Sequence, residues 1–278
     1  MYFGDVPQSL VLRHQQHPKN ALHYRLMHKF YSDIQGSEKE FPWYSFIEPN
    51  YYKGEQNDDH PPHSTLRAQR LLASVYNHLR GNEELWNSTL LVVLYDEHGG
   101  FFDHVPPPAA VPPDQYQDNF TFDRLGVRVP ALLISPWVDR RVISTKFDHT
   151  SLLKYLTELW GLGPLTERVK QAASLSEAFR SSPRTDTPPS VLVQPLIAVE
   201  GLSGVTHQEL AEPLNDNQKA LLVFSKHLEH QTVISPAPGP AMEEAAGLEG
   251  GPLIEFQLSK RRVLAFLDQQ KAKAMISV

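Results

Sequence analysis

The sequence predicts an α/β fold, and three observations carry that expectation. Residues 89–95 (TLLVVLY) and 129–135 (VPALLIS) form short, continuous apolar runs. The segments opening at Ser64 and Asp148 carry amphipathic helical periodicity. Strand-like and helix-like segments alternate along the chain. The 278 residues are 41% hydrophobic and 21% charged, enough for a sizeable core. A formal charge of −6 argues against a nucleic-acid surface, which needs clustered Lys and Arg. No stretch approaches the ~18–20 apolar residues of a membrane span. The absence of cysteine removes thiolate nucleophiles, disulfides and Cys-ligated zinc together. The 23 prolines are about 8% of the chain against a usual ~5%, so much of it is loop.

The opening MYFGDVPQSL lacks the basic region and apolar core of a signal peptide and has no strand-like lead-in. As it stands the chain reads as cytoplasmic, unless an upstream segment is missing. Leu22, Leu26 and Phe30 fall at intervals of four and read as a short amphipathic helix. His14, His17, His23 and His28 lie on several faces and read as surface residues. Residues 43–47 (WYSFI) read as a short buried strand, closed by Glu48-Pro49-Asn50. After a polar loop over 54–63, Ser64 is a good N-cap for a helix whose Leu66, Leu71, Leu72, Val75 and Leu79 share a face, with Gly81 as the residue that ends it.

The run 89–95 is too short for a helix and does not alternate, the signature of a central parallel strand covered on both faces. The run 129–135 is a second strand, stopped by Pro136. Asp148 caps a helix carrying Leu152, Leu153, Leu156 and Leu159 and ending at Gly161. Beyond about residue 165 the character changes. Residues 181–189 read as a linker, 235–251 are rich in Pro, Gly and Ala, and helical candidates cover about 216–229 and 256–274.

The chemistry concentrates in Tyr95-Asp96-Glu97-His98-Gly99-Gly100-Phe101-Phe102-Asp103-His104-Val105. Two carboxylates and an imidazole leave the C-terminal end of the most apolar strand, the edge where open α/β sheets bind ligands. Their oxygen and nitrogen donors suit a divalent cation: calcium, magnesium or manganese by the oxygens, zinc by the imidazole. Gly99 and Gly100 permit a sharp turn and close approach to a ligand. A second group, Asn57-Asp58-Asp59-His60-Pro61-Pro62-His63, stands before a helix N-terminus, which favours anions. A histidine there can bind a phosphoryl oxygen, protonate a leaving alkoxide, or join a metal shell. His149 opens another helix and reads as capping and packing. Phe101, Phe102, Tyr116, Phe120 and Phe122 sit in or beside the Pro-rich loop 105–123, where packing and loop anchoring compete with contact to a lipid.

The runs SFIEPNYY, NDDHPPHS, YDEHGGFFDHVPPP and FDHTSLLKYL, in that order, resemble the phosphoesterase family, which contains bacterial and plant non-specific phospholipases C and an acid phosphatase relative. The resemblance covers about residues 2–162. It implies a three-layer αβα sandwich of alkaline phosphatase-like type, incomplete here at the N-terminus, with residues 1–165 as the C-terminal half of a catalytic domain and 166–278 as linkers with two appended helices. It also implies a Ser or Thr nucleophile, a divalent metal ion that activates it, and a phosphate ester or phospholipid substrate. Carried onto this chain, Asp96 and Glu97 match the metal pair and His60 the histidine at the phosphoryl group or leaving oxygen. His98 is a further candidate from the same motif. The family's Asn-containing acidic motif and its nucleophile have no match here. Ser64, Thr65, Thr150 and Ser151 lie beside the motifs without matching that nucleophile. Two outcomes are therefore expected to compete: a metal-dependent phosphoric ester hydrolase, or an inactive remnant that keeps metal or phosphate binding.

Overall fold

The computed structural model describes residues 1–52, 56–117, 119–163, 165–190, 213–229, 231 and 252–276. The Pro/Gly/Ala-rich stretch 235–251 lies outside the described residues. The chain divides into two compact units, Met1–His78 with Ser190–Val278, and Leu79–Pro189. Both mix helices with small sheets, which makes the fold α/β at the coarse level.

In the first unit, β1 (Tyr2–Phe3) is the centre of a parallel sheet with β2 (Arg25–Leu26) on one side and β3 (Ile47–Glu48) on the other. The first residues thus form the central strand despite lacking a strand-like lead-in. Tyr2 and Phe3 are buried, Tyr2 edge-on against Phe30 of α2 (Met27–Asp33) at 5.1 Å. The Tyr2 hydroxyl donates to Asp33 at 2.9 Å, and Arg25 and Lys29 pair with the same carboxylate at 2.9 Å. Burial and the Asp33 bond push the Tyr2 phenol up to about 12.

The helix expected through Leu22, Leu26 and Phe30 is broken. A short helix α1 (Pro18–Ala21) ends before it, β2 takes Arg25 and Leu26, and only Phe30 of the three is buried. Strand pairing with β1 outweighs the local periodicity. The buried strand expected over 43–47 is also displaced. Strand β3 is Ile47–Glu48, while Trp43, Tyr44 and Phe46 are exposed, Trp43 at 87%.

Helix α3 (Thr65–Gly81) follows, its Ala68, Ala73, Val75 and Tyr76 buried. Gly81 is its last helical residue rather than a left-handed residue beyond it. The two helical candidates of the C-terminal region form α7 (Asp216–Glu229) and α8 (Pro252–Ile276), which pack on each other, with α8 also against α1. Leu221 and Leu228 of α7 and Val263, Phe266 and Leu267 of α8 share one core with Phe3, Tyr24, Tyr51 and Tyr52. These helices complete the hydrophobic core of the first unit.

The second unit opens with α4 (Glu83–Trp86), capped by Asn82, whose side chain accepts from Leu85 N at 3.1 Å. Strands β4 (Leu91–Leu94) and β5 (Ala131–Ile134) fall inside the two expected apolar runs, but they pair antiparallel with Leu91 opposite Ile134. They are half-buried rather than covered on both faces, with Leu132 53% exposed. An apolar run signals burial, not partner direction. The chain between β4 and β5 contains no helix among its described residues, and without a crossover helix it returns alongside in the opposite sense.

Helix α5 (His149–Trp160) starts and stops as expected. Asp148 and Ser151 form a capping box, and Gly161 closes the helix at φ 61°. Helix α6 (Glu167–Gln171) packs on α5, and Tyr155 stacks on Phe179 at 5.2 Å. No helix among the described residues is long and apolar enough to cross a membrane.

Candidate active site

His60 is positioned by a lattice of backbone bonds in the first unit. Gly4 follows β1 and passes so close to Asn50 that an added Cβ would lie 1.8 Å from its Oδ1, so this approach demands glycine. Asp5 is buried and accepts from Val6 N at 2.7 Å and Tyr52 N at 2.8 Å, with Tyr51 N at 3.1 Å. Glu48 accepts from Gln8 N and Ser9 N. Burial pushes both carboxyls up against those stabilising N–H bonds. The SFIEPNYY motif is thereby anchored to the start of the chain. Asn57 then pairs with Asn50 through its own N–H at 3.0 Å and its side-chain oxygen at 2.7 Å, docking the NDDHPPHS motif onto the first.

Beyond Asn57 the chain turns tightly. Asp59 takes the left-handed conformation (φ 62°), which Asp tolerates better than most residues, and His63 N donates to His60 O at 2.9 Å. His60 Nδ1 lies 2.8 Å from Pro61 O. A carbonyl only accepts, so Nδ1 carries a proton and Nε2 is the nitrogen left for proton transfer. His63 lies 6.3 Å away, ring to ring, with Nδ1 2.6 Å from Asp58 Oδ1. That imidazole and carboxylate are almost fully buried, at 6% and 3% exposure. The sequence placed Asp58 and His63 in the motif without a role. The spacing His60-x-x-His63 was the available signal.

The second unit holds Asp96, Glu97 and His98, in the turn after β4. Asp96 and Glu97 are exposed. Glu97 Oε2 accepts from Gly99 N at 2.6 Å and lies 3.7 Å from His98 Nδ1. Gly99 and Gly100 adopt φ 65° and 76°, the sharp turn expected of them. His149 Nε2 donates to Tyr95 O at 2.7 Å, so the imidazole that opens α5 latches the end of β4 just before Asp96. Among the described residues no three His, Asp or Glu side chains converge as a metal shell. Asp96 and Glu97 supply two carboxylates, at most four oxygen donors, fewer than the six or more that calcium or magnesium takes.

The aromatic side chains of the following loop are exposed: Phe101, Phe102, Tyr116, Phe120 and Phe122, with Phe102 at 93%. Packing into the core is not their role. The loop itself is anchored by Ala110 N to Asp123 O and Leu125 N to Pro108 O, and by Arg168, which donates to Val111 O and Phe122 O. Neither helix-start hydroxyl of α5 is free for other work. Thr150 Oγ1 donates to Asp148, and Ser151 Oγ accepts from Asp148 N.

The Phosphoesterase family model matches residues 2–163. Non-specific phospholipase C3 of Arabidopsis thaliana is 37% identical over 210 residues, 68% of this chain and 39% of that protein. Non-specific phospholipase C6 of the same plant is 36% identical over 226 residues, 72% of this chain and 42% of that protein. Phospholipase C A of Mycobacterium tuberculosis (strain ATCC 25618 / H37Rv) is 32% identical over 148 residues, 48% of this chain and 27% of that protein. The chain spans about two fifths of the length of the plant relatives. A match over more than half of its residues, with a relative more than one third identical across two thirds of it, makes this chain a member of the phosphoesterase family.

Proposed function

We propose that the chain acts in the hydrolysis of phosphoric ester bonds, phospholipase C-like, with His60 as the catalytic imidazole. The observation that carries this reading is the hydrogen bond that commits His60 Nδ1 to Pro61 O. Pro61 O engages Nδ1–H, so Nε2 is the nitrogen left for the reaction. In the imidazolium form Nε2–H donates to a phosphoryl oxygen or gives its proton to the leaving oxygen, and the ring keeps the Nδ1 proton. Family membership supports the reaction class, and the printed names of the relatives support a phospholipid substrate. The exposed Phe101, Phe102, Tyr116 and Phe120 supply an aromatic surface suited to a lipid interface. We propose further that residues 1–165 are the C-terminal half of the catalytic domain, in the αβα sandwich of alkaline phosphatase-like type.

Asp96 and Glu97 are assigned to a divalent metal ion, with donors beyond these two completing its shell. When bound, such an ion offsets charge on phosphoryl oxygens and activates a nucleophile. What this chain's own residues do is hold two carboxylates at a glycine turn, one of them oriented by Gly99 N–H. His98, 3.7 Å from Glu97, is assigned to the same turn as a partner of that carboxylate.

A second reading is a protein that binds phosphate or metal without turnover. The capping roles of Thr150 and Ser151 favour it, because they withdraw two hydroxyls beside the motifs from nucleophilic work. The test is turnover of a chromogenic phosphodiester, a phosphomonoester and phosphatidylcholine vesicles by the purified chain, with H60A and D96A tested singly and together. Loss of turnover in both single variants, with the double no worse than either, is the expected result. Full turnover in H60A would end the catalytic reading. Saturable phosphate binding with no ester turnover in the wild type would establish the second.

A further inference from the structure

We propose that Asn215, at the entrance to α7 and outside the family match, is a positioning residue for His60 and acts through His63. The proposal rests on the reading that His60 serves the phosphoryl chemistry.

The orientation of the Asn215 amide is fixed by its neighbours. Gln218 N donates to Asn215 Oδ1 at 2.8 Å, and Asn215 N donates back to Gln218 Oε1 at 3.2 Å, a reciprocal cap on the first turn of α7. With its oxygen occupied, the amide directs Nδ2 at His63 Nε2, 3.3 Å away. Nδ2 only donates, so His63 Nε2 must present its lone pair. The proton of a neutral His63 then sits on Nδ1, facing the Asp58 carboxylate at 2.6 Å. Both ring nitrogens of His63 are thereby committed. This buried imidazole is a clamp rather than an acid or base.

The clamp acts on a short lever. His63 N closes the turn onto His60 O, so the His63 ring sets where the His60 backbone stands. The other end is immobile, because α7 is tied into the core of the first unit. Gln218 Nε2 donates to Tyr51 O at 3.0 Å, Gln8 Nε2 donates to Asn217 Oδ1 at 2.8 Å, and Leu221 and Leu228 are buried beside Tyr51 and Tyr52. The C-terminal region thus meets the motif through the Asn215 amide. Placement errors of ~1 Å at a reacting group cost up to about a hundredfold in rate, which is the sensitivity such a clamp guards.

The decisive variant is N215D. Its carboxylate still accepts from Gln218 N, so the cap survives, but it turns an acceptor toward His63 Nε2 and demands a proton there. The control is V223A, at an exposed position of the same helix that the clamp does not use. Expected in N215D are a folded α7, a change in the His63 ring ¹⁵N signature from the Nδ1–H form to the doubly protonated form at neutral pH, and a displaced His60 ring signature. With the vesicle substrate, kcat falls about tenfold or more with KM nearly unchanged, while V223A matches wild type. N215L, which fills the space without donating, shows the same kcat loss.

His60 ring signals at their wild-type positions in N215D would overturn the proposal, whatever the turnover. So would a wild-type kcat in both N215D and N215L. A displaced His60 in a protein whose wild type hydrolyses no ester would uphold the positioning and sink the hydrolase reading, so the two failures are separable.

Discussion

Asp103 accepts two parallel hydrogen bonds from Arg128, 2.7 Å from Nε and 2.8 Å from Nη2, and so ties the DHVPPP segment to the LGVRVP segment that leads into β5. These segments are the two ends of the loop that displays the aromatic side chains. The Arg128 bonds, helped by Val105 N–H, hold the Asp103 carboxyl well below the usual carboxylate range.

The first prediction concerns that pair. A carboxyl whose pKa is depressed on folding contributes stability above its unfolded value and loses it only as pH falls through the folded value. Loop cleavage by a protease is expected to stay constant from pH 7 down to about pH 4 and to rise only below it. D103N should be cut faster across the whole range. Equal cleavage of D103N and wild type would remove the clasp from this account.

The opposite sign is expected for Asp5. Burial raises its pKa, so the stability it contributes is present below the unfolded value and lost as pH rises through the folded one. The unfolding free energy of wild type relative to D5N should therefore increase as pH is lowered from 7 toward the unfolded carboxyl value of about 4, read by denaturant titration. D5A strands the N–H groups of Val6, Tyr51 and Tyr52 and should cost about 3 kcal/mol or more.

The exposed aromatic rim gives a third. Replacing Phe102 and Phe120 by serine removes two exposed rings without touching the bonds that anchor the loop. Turnover of phosphatidylcholine vesicles should fall about tenfold, the order expected from losing insertion of one or two phenyl groups. Hydrolysis of a soluble diester should be unchanged. Equal losses on both substrates would assign the rings to folding.

Metal removal gives a fourth. Chelation should abolish ester turnover, and D96A should both lower the divalent ion content found by elemental analysis and reduce turnover by about a hundredfold or more. E97Q, which keeps an acceptor for Gly99 N, should retain the turn while weakening the ion. Full metal content in the double variant D96A/E97Q would contradict the assignment.

The capping box supplies a stability test. D148A removes the acceptor for Thr150 N and should cost about 1 kcal/mol, read as a lower unfolding midpoint. A neutral result would mean that the His149 latch on Tyr95 O holds the start of α5 unaided.

Helix α5 was legible from end to end because its signals are local: an Asp cap, leucines at helical spacing, and a closing glycine. Strands β4 and β5 were legible in place but not in direction, since partner sense depends on the chain between them. Strand β1 is two residues long, too short for any periodic signal, and exists because Arg25 and Ile47 arrive on either side of Tyr2. Asp96, Glu97, His98 and His60 stood out as residue types in motifs. The hydrogen bond that places a proton on His60 Nδ1 is made with its immediate neighbour Pro61 and appears only in the turn's geometry.

By itself the sequence determined the α/β class, the helix boundaries set by caps, and the family, because each is written in residues close together along the chain. The tertiary structure alone decided that the aromatic loop is exposed, that the C-terminal helices share a core with the first strand, and that Asn215 reaches His63. Those outcomes depend on which distant segments meet when apolar surface is buried, and no local pattern encodes a contact across 152 residues.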